Sequence, residues 1–237
     1  MKNYTTLLLD LDGTILDIEV SFFLGPMVEA MHRCFRDILE MGRFREGLFG
    51  GTEAIIFEPR YDGETNMEGF NRVFSDLTGV QVTDTERRFG RFYREIFPTL
   101  KGYGKPVEGA SEFVVRAAKE GYTLCLATNP IFPTSATLER LKWSGVDPAF
   151  FRFIPGLETM STCKPRPEYF LELASRLDVD PSSCLMIGND MEQDLPASEI
   201  GMGTFLVEGQ VVSRGRTELE PDARGSLMDL GRLLGWD

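Results

Sequence analysis

The sequence predicts an α/β protein with a mostly parallel sheet, and three observations carry that expectation. From about residue 105 onward, short apolar runs alternate with amphipathic stretches, the order that builds a parallel sheet with helices on both faces. A further apolar run, TTLLLDLDG at residues 5–13, reads as a buried strand entering a tight turn. Between them, from 21 to about 100, the apolar spacing is helical. One sheet domain is therefore expected to be interrupted by a helical insertion.

Within the insertion, Leu24, Val28, Met31, Phe35 and Ile38 recur at spacings of three and four. So do Met67, Phe70, Phe74 and Leu77, and then Phe89, Phe92, Tyr93 and Ile96. Thr83 with Glu86 has the pattern of a capping box at the start of the last helix. The glycine-rich stretch GLFGGTEAIIFEPRYDG, residues 47–63, shows no readable period. The aromatic stripes are expected to form the insertion's own core, with a substrate-facing wall as the alternative. Beyond it, a helix at 111–120 stops at Gly121, and TLCLAT follows as a strand. A helix at 135–143, the short strand RFIP and a helix at 167–177 come next. SCLMIG as a strand, a helix at 193–200, the strand TFLVE and a helix in SLMDLGRLL complete the order.

Composition narrows the function. The chain carries a net charge of −12, which disfavours nucleic acid or an anionic membrane as partner. A phosphorylated small molecule remains compatible, since a metal ion and one lysine reverse the sign of a local site. No apolar run approaches the ~20 residues that span a bilayer, and MKNYTTLLLD lacks a secretory apolar region, so a cytoplasmic location is expected. Cys34, Cys125, Cys163 and Cys184 have no zinc-site spacing and are expected to be buried thiols. The single histidine, His32, lies in EAMHRCF without a neighbouring nucleophile. Acid–base chemistry is thus expected from carboxylates.

Ligands bind beyond the carboxyl ends of parallel strands, and polar residues gather at four such places. These are Asp10-Leu11-Asp12-Gly13-Thr14, Thr128-Asn129, Lys164, and Asn189-Asp190 with Asp194 a turn later. Each suits phosphoryl transfer, which needs an in-line nucleophile, positive charge on the equatorial oxygens and an acid for the leaving group. Asp10 is a carboxylate nucleophile, and Asp12 is a general acid and base. Thr128 and Asn129 are placed to bind phosphate, and Lys164 supplies fixed positive charge. Asp10, the Asp12 backbone carbonyl and Asp190 offer the hard oxygens that Mg²⁺ prefers. Taken singly, each station has a plainer reading: an Asp-Gly hairpin, a turn after a strand, a surface lysine, a helix-terminal acid.

DLDGT at 10–14, the threonine of LATN, the lysine of CKPRPEYF and the acids of IGNDMEQD together resemble the four motifs of the haloacid dehalogenase (HAD) superfamily, in that family's order. The resemblance implies a Rossmann-like core at 1–16 and 104–237 and a C1-type helical cap at 17–103. It also implies a magnesium-dependent phosphatase acting on a small phosphorylated metabolite through an aspartyl-phosphate on Asp10. Dehalogenating members lack the second aspartate, so Asp12 points to phosphate esters. A sugar phosphomutase, or a binding protein that has lost turnover, remains the alternative. One departure stands out: Asn189 follows Gly188 where the family usually has aspartate. Either Asp190 binds the metal, with Asp194 in support, or Asn189 does so as a neutral ligand. The attachments near 16–22 and 100–105, the second rich in glycine, are expected to act as hinges, and no oligomeric state is read from the sequence.

Overall fold

The computed structural model describes residues 4–58 and 63–236. Strand β1 (Thr6–Leu9) ends at Asp10, and after a tight turn β2 (Leu16–Ile18) leads into the helical insertion. That insertion contains α1 (Val20–His32), α2 (Met41–Phe57), α3 (Asn66–Thr78) and α4 (Val82–Arg91). A π-helical turn, Phe92–Ile96, and a 3₁₀ stretch, Phe97–Tyr103, bring the chain back to β3 (Gly104–Pro106). The remainder alternates: α5 (Ala110–Lys119), β4 (Thr123–Leu126), α6 (Thr134–Ser144), β5 (Phe151–Phe153), α7 (Pro167–Leu177) and β6 (Cys184–Gly188). It closes with α8 (Met191–Asp194), β7 (Gly203–Val207), β8 (Ala223–Gly225) and α9 (Leu227–Leu233).

Six strands form one parallel sheet in the order β5-β4-β1-β6-β7-β8. Strand side chains alternate between its faces. Leu7 and Leu9 enter one core with Val114, Ala117 and Leu227, while Leu8 enters the other with Tyr169, Phe170 and Leu173. A strand buried on both faces must be apolar throughout, which is why TLLL and CLMIG read as continuous runs. The chain winds outward from β1 in both directions, so the crevice at the carboxyl end of β1 is the sheet's topological switch point.

The structure corrects several expectations. The capping box belongs to Thr65 and Glu68 at the start of α3, not to Thr83 and Glu86. Helix α4 starts two residues too early for Thr83 to cap it; Gln81 is its N-cap, without a side-chain bond. Glu86 instead accepts from Asn71 Nδ2 at 3.0 Å. The expected helix at 193–200 is a single α turn followed by a 3₁₀ segment, Leu195–Ile200, with Pro196 near its start. Strand β8 was not expected. The α1 stripe is only partly buried: the helix ends at His32, and Leu24 and Ile38 are exposed while Val28, Met31 and Phe35 are not.

Most of the glycine-rich stretch lies in α2; residues 59–62 of it fall outside the described residues. Its glycines follow from packing: a Cβ on Gly51 would meet the Phe70 ring at 2.8 Å, and one on Gly47 the Phe74 ring at 3.0 Å. Behind this close approach, Phe35, Phe44, Phe74 and Phe89 form a ring cluster with centroids 4.8–6.3 Å apart. The two chain attachments pair with each other as an antiparallel ribbon, Leu16–Ile18 with Gly104–Pro106. A second tie runs from the start of α3, where Asn66 N donates to Met160 O at 2.7 Å and Met67 N to Leu157 O at 2.8 Å. All four cysteines are buried thiols. Among the described residues, no helix is long and apolar enough to cross a membrane.

Candidate active site

Asp10 sits where β1 ends, its N–H donating to Ile187 O of the neighbouring β6 at 2.8 Å. Its Oδ1 accepts from Lys164 Nζ at 3.0 Å, and the same ammonium donates to Asp194 Oδ1 at 2.5 Å. Lys164 is 1% exposed and Asp194 2%. One buried cation therefore stands between two carboxylates. Burial alone pushes the Lys164 ammonium down, but Asp10 and Asp194 outweigh it and hold the group above its ordinary value. Burial raises the Asp10 carboxyl; Lys164 opposes this and the charge of Asp12 adds to it. Asp194 is pushed up to about 6, chiefly by burial.

Asp12 lies two residues on, in the turn closed by Gly13 N to Leu16 O at 2.7 Å. Gly13 has a φ of +79°, and a Cβ there would collide with the Asn189 side chain. Asp12 Oδ2 pairs with Arg140 Nη2 at 3.1 Å, while its Oδ1 is buried without a hydrogen-bond partner. Burial lifts its carboxyl above the ordinary value, against the lowering influence of Arg140 and Lys164.

Arg140 is 1% exposed and was not singled out from the sequence. Besides Asp12, its Nη2 donates to Thr128 Oγ1 at 3.3 Å, and its guanidinium lies 4.9 Å from the Phe132 ring centroid. A signal existed: Arg140 falls on the same helical stripe as Ala136, Thr137, Leu141 and Ser144, all buried, and an arginine there needs an anionic partner. Tyr169 was also missed. Its hydroxyl donates to Thr128 O at 2.8 Å beneath the Lys164 ammonium, fixing the end of β4.

Asn129 donates to Gln193 Oε1 at 3.0 Å, and its Oδ1 has no partner. Among the described residues, six buried side-chain nitrogen or oxygen atoms lack partners, and three of them meet here: Asp12 Oδ1, Asn129 Oδ1 and Arg140 Nε. Buried polar atoms are ordinarily paired, so this gathering marks a place prepared for a polar ligand. Asp10, Asp12, Thr128, Asn129 and Lys164 all line a single cavity, with Asn189, Asp190 and Asp194 on one side. His32 is not among its lining residues; its Nε2 is 2.8 Å from Leu39 O, tying down the turn after α1.

At the end of β6 the two metal-ligand candidates diverge. Asn189 is buried; its Oδ1 accepts from Thr14 Oγ1 at 3.3 Å and its Nδ2 donates to Gln210 O at 2.6 Å. Asp190 caps α8 by accepting from Glu192 N and Gln193 N at 3.1 Å each. Both its oxygens also receive Arg214, at 2.8 and 2.9 Å. Among the described residues, no cluster of three or more His, Cys, Asp or Glu side chains is arranged to hold a metal. The donor chemistry nevertheless suits Mg²⁺, which takes one or two carboxylates, other oxygens and water. Asp10, the Asp12 carbonyl and either Asp190 or Asn189 supply only oxygens. A cation there would also offset the raised Asp10 carboxyl.

Residues 4–199 match the profile of a family described as haloacid dehalogenase-like hydrolase. The probable phosphatase IndB of Dickeya dadantii is 30% identical over 200 residues, 84% of this chain and 78% of that protein. The phosphoglycolate phosphatase of Mesorhizobium japonicum is 23% identical across 90% of this chain and 87% of its own length. A solved HAD phosphatase from Thermococcus onnurineus matches the fold with a TM-score of 0.61 at 22% identity, covering 98% of this chain and 99% of that one.

Proposed function

The chain belongs to the haloacid dehalogenase-like hydrolases, and from its site we infer a magnesium-dependent phosphomonoesterase working through an aspartyl-phosphate on Asp10. The observation that carries this reading is the meeting of Asp10, Lys164 and the unpaired atoms of Asp12, Asn129 and Arg140 in one cavity. Relatives named as phosphatases support it.

Asp10 attacks phosphorus and the bond to the leaving oxygen breaks. Asp12, its carboxyl raised by burial, delivers a proton to that oxygen. In the second half Asp12 takes a proton from water as the water oxygen attacks phosphorus and frees the Asp10 carboxylate. Lys164, Thr128 and Asn129 bind the phosphoryl oxygens, and Arg140 orients Asp12 from below. Asp10, the Asp12 carbonyl and Asp190 or Asn189 would hold Mg²⁺, which would supply positive charge to neutralise the phosphoryl group. Residues 17–103 act as a cap over a core of 1–16 and 104–237, excluding water while the site is loaded.

The test is phosphate release from para-nitrophenyl phosphate with and without Mg²⁺, wild type beside Asp10→Asn. Magnesium-dependent release that falls by at least about a thousandfold in the variant is expected, since the nucleophile itself is removed. Full turnover by Asp10→Asn would overturn the mechanism, and an isomerised product in place of free phosphate from a sugar phosphate would make the enzyme a mutase.

A further inference from the structure

The cavity does not end at the phosphoryl site. Its volume is about 1530 Å³, beyond the ~300–1,000 Å³ of ordinary small-molecule pockets, and it opens toward the helical insertion. There its walls are Phe23, Met27 and Met31 of α1, Phe70 of α3 and Phe89 of α4, with Phe132 facing them from the core. Methionine side chains adapt to irregular apolar shapes.

Among the described residues, most polar groups on these walls are already engaged, the Tyr93 hydroxyl and Ser135 being the exceptions. Asn71 and Glu86 bond to each other at 3.0 Å, and Thr52 Oγ1 donates to Leu48 O at 2.8 Å. Every cation lining the cavity, among the described residues, faces a carboxylate. Lys164 and Arg140 face Asp10 and Asp12 at the floor, Arg214 faces Asp190 at 2.8 Å, and Arg94 faces Glu95 at 3.0 Å. A second anionic group on the substrate, or the hydroxyls of a sugar, would leave water for rings and thioethers that cannot hydrogen-bond them. A hydrocarbon group would gain from the same transfer.

We propose that the substrate is the phosphate monoester of a bulky apolar alcohol, its phosphate at Asp10 and its hydrocarbon between α1, α3 and α4. This rests on the phosphatase reading above and narrows it. Neither the length of α1 nor the spacing of its methionines showed that they line the same cavity as Asp10.

The experiment has two arms. In the first, kcat/KM is measured by phosphate release, with Mg²⁺, for n-alkyl phosphates from butyl to decyl and for 1-naphthyl phosphate. Glucose 6-phosphate, glycerol 2-phosphate and phosphoglycolate are measured alongside. We expect kcat/KM to rise by about fourfold per methylene until the cavity is filled, the equivalent of ~0.8 kcal/mol per CH₂, and the polar esters to fall below decyl phosphate. Gly90→Trp adds a ring at a cavity-lining position of α4 where a Cβ meets nothing within 4 Å. It is expected to move the optimum to shorter chains. A flat series, or polar esters turned over at least as well as decyl phosphate, overturns the proposal.

In the second arm, the affinity of Asp10→Asn for the same alkyl phosphates is measured by calorimetry. Affinity that climbs with chain length supports the apolar ligand even if no compound releases phosphate from wild type, in which case the phosphatase reading alone fails. Affinity independent of chain length overturns the proposal.

Discussion

Arg140 is the residue that most changes the picture of this site. It is buried with a free Nε, touches both Asp12 and Thr128, and so joins the turn after β1 to the end of β4. Its planar guanidinium reaches two partners at once, a geometry that lysine cannot copy. Arg140→Lys is therefore expected to lower kcat by about ten- to a hundredfold with little change in KM, because the acid is misplaced while the phosphate contacts remain. Steady-state kinetics on any turned-over ester checks this, and a rise in KM with kcat preserved would contradict a positioning role. Asp10, Asp12, Thr128, Asn129 and Lys164 were legible because each ends a strand or follows one in a short motif. Arg140 and Tyr169 were not, because nothing in a helix sequence states which residue across the sheet its buried polar group will meet.

At the scale of elements, one mostly buried arginine ties α4 to the segment after α1. Arg88 of α4 bonds Cys34 O at 2.5 Å and Asp37 at 2.6 and 2.9 Å, beyond α1, as well as Asp84 at 2.8 Å in its own helix. Hydrogen bonds from Arg88 hold the Asp37 carboxyl below its ordinary value, and those from Arg88 and Arg87 do the same for Asp84. A lowered carboxyl contributes stability above its unfolded-state pKa and loses it as pH falls through the folded-state value. Arg88→Ala should thus lower the thermal midpoint at pH 7, and the gap from wild type should narrow as pH is taken toward 3. Differential scanning calorimetry across that range is the check; a gap independent of pH would show that Arg88 acts by packing on Phe35 alone, 5.7 Å from the guanidinium carbon.

For the molecule as a whole, the metal is expected to couple the two halves of the site. Chelation should abolish turnover and added Mg²⁺ restore it. Ligand binding to the folded state alone adds about 2.7 kcal/mol at a hundredfold excess over Kd, or about 5–10 °C in the midpoint for a chain of this size. The same titration on Asn189→Ala and Asp190→Ala identifies the third oxygen ligand, as the true ligand's loss raises the Mg²⁺ requirement more. Equal activity in chelator would remove the metal from the mechanism. The ribbon of β2 and β3 and the bonds from α3 to Met160 and Leu157 are the ties any cap movement must respect.

By itself, the sequence determined the parallel sheet, the position of its helical interruption and four of the stations at its edge. These are encoded locally: apolar runs mark buried strands, three-and-four spacing marks helices, and DLDGT can only end a strand in a turn. Tertiary structure decided what lies far apart along the chain. It set Arg140 against Asp12, fastened Asp190 to Arg214, paired the ribbon across 86 residues (Ile18 with Gly104) and put the methionines of α1 on the wall of the cavity that also holds Asp10. The reason is physical: period and propensity fix which face of an element is buried, whereas the neighbour on that face is set by how whole elements pack.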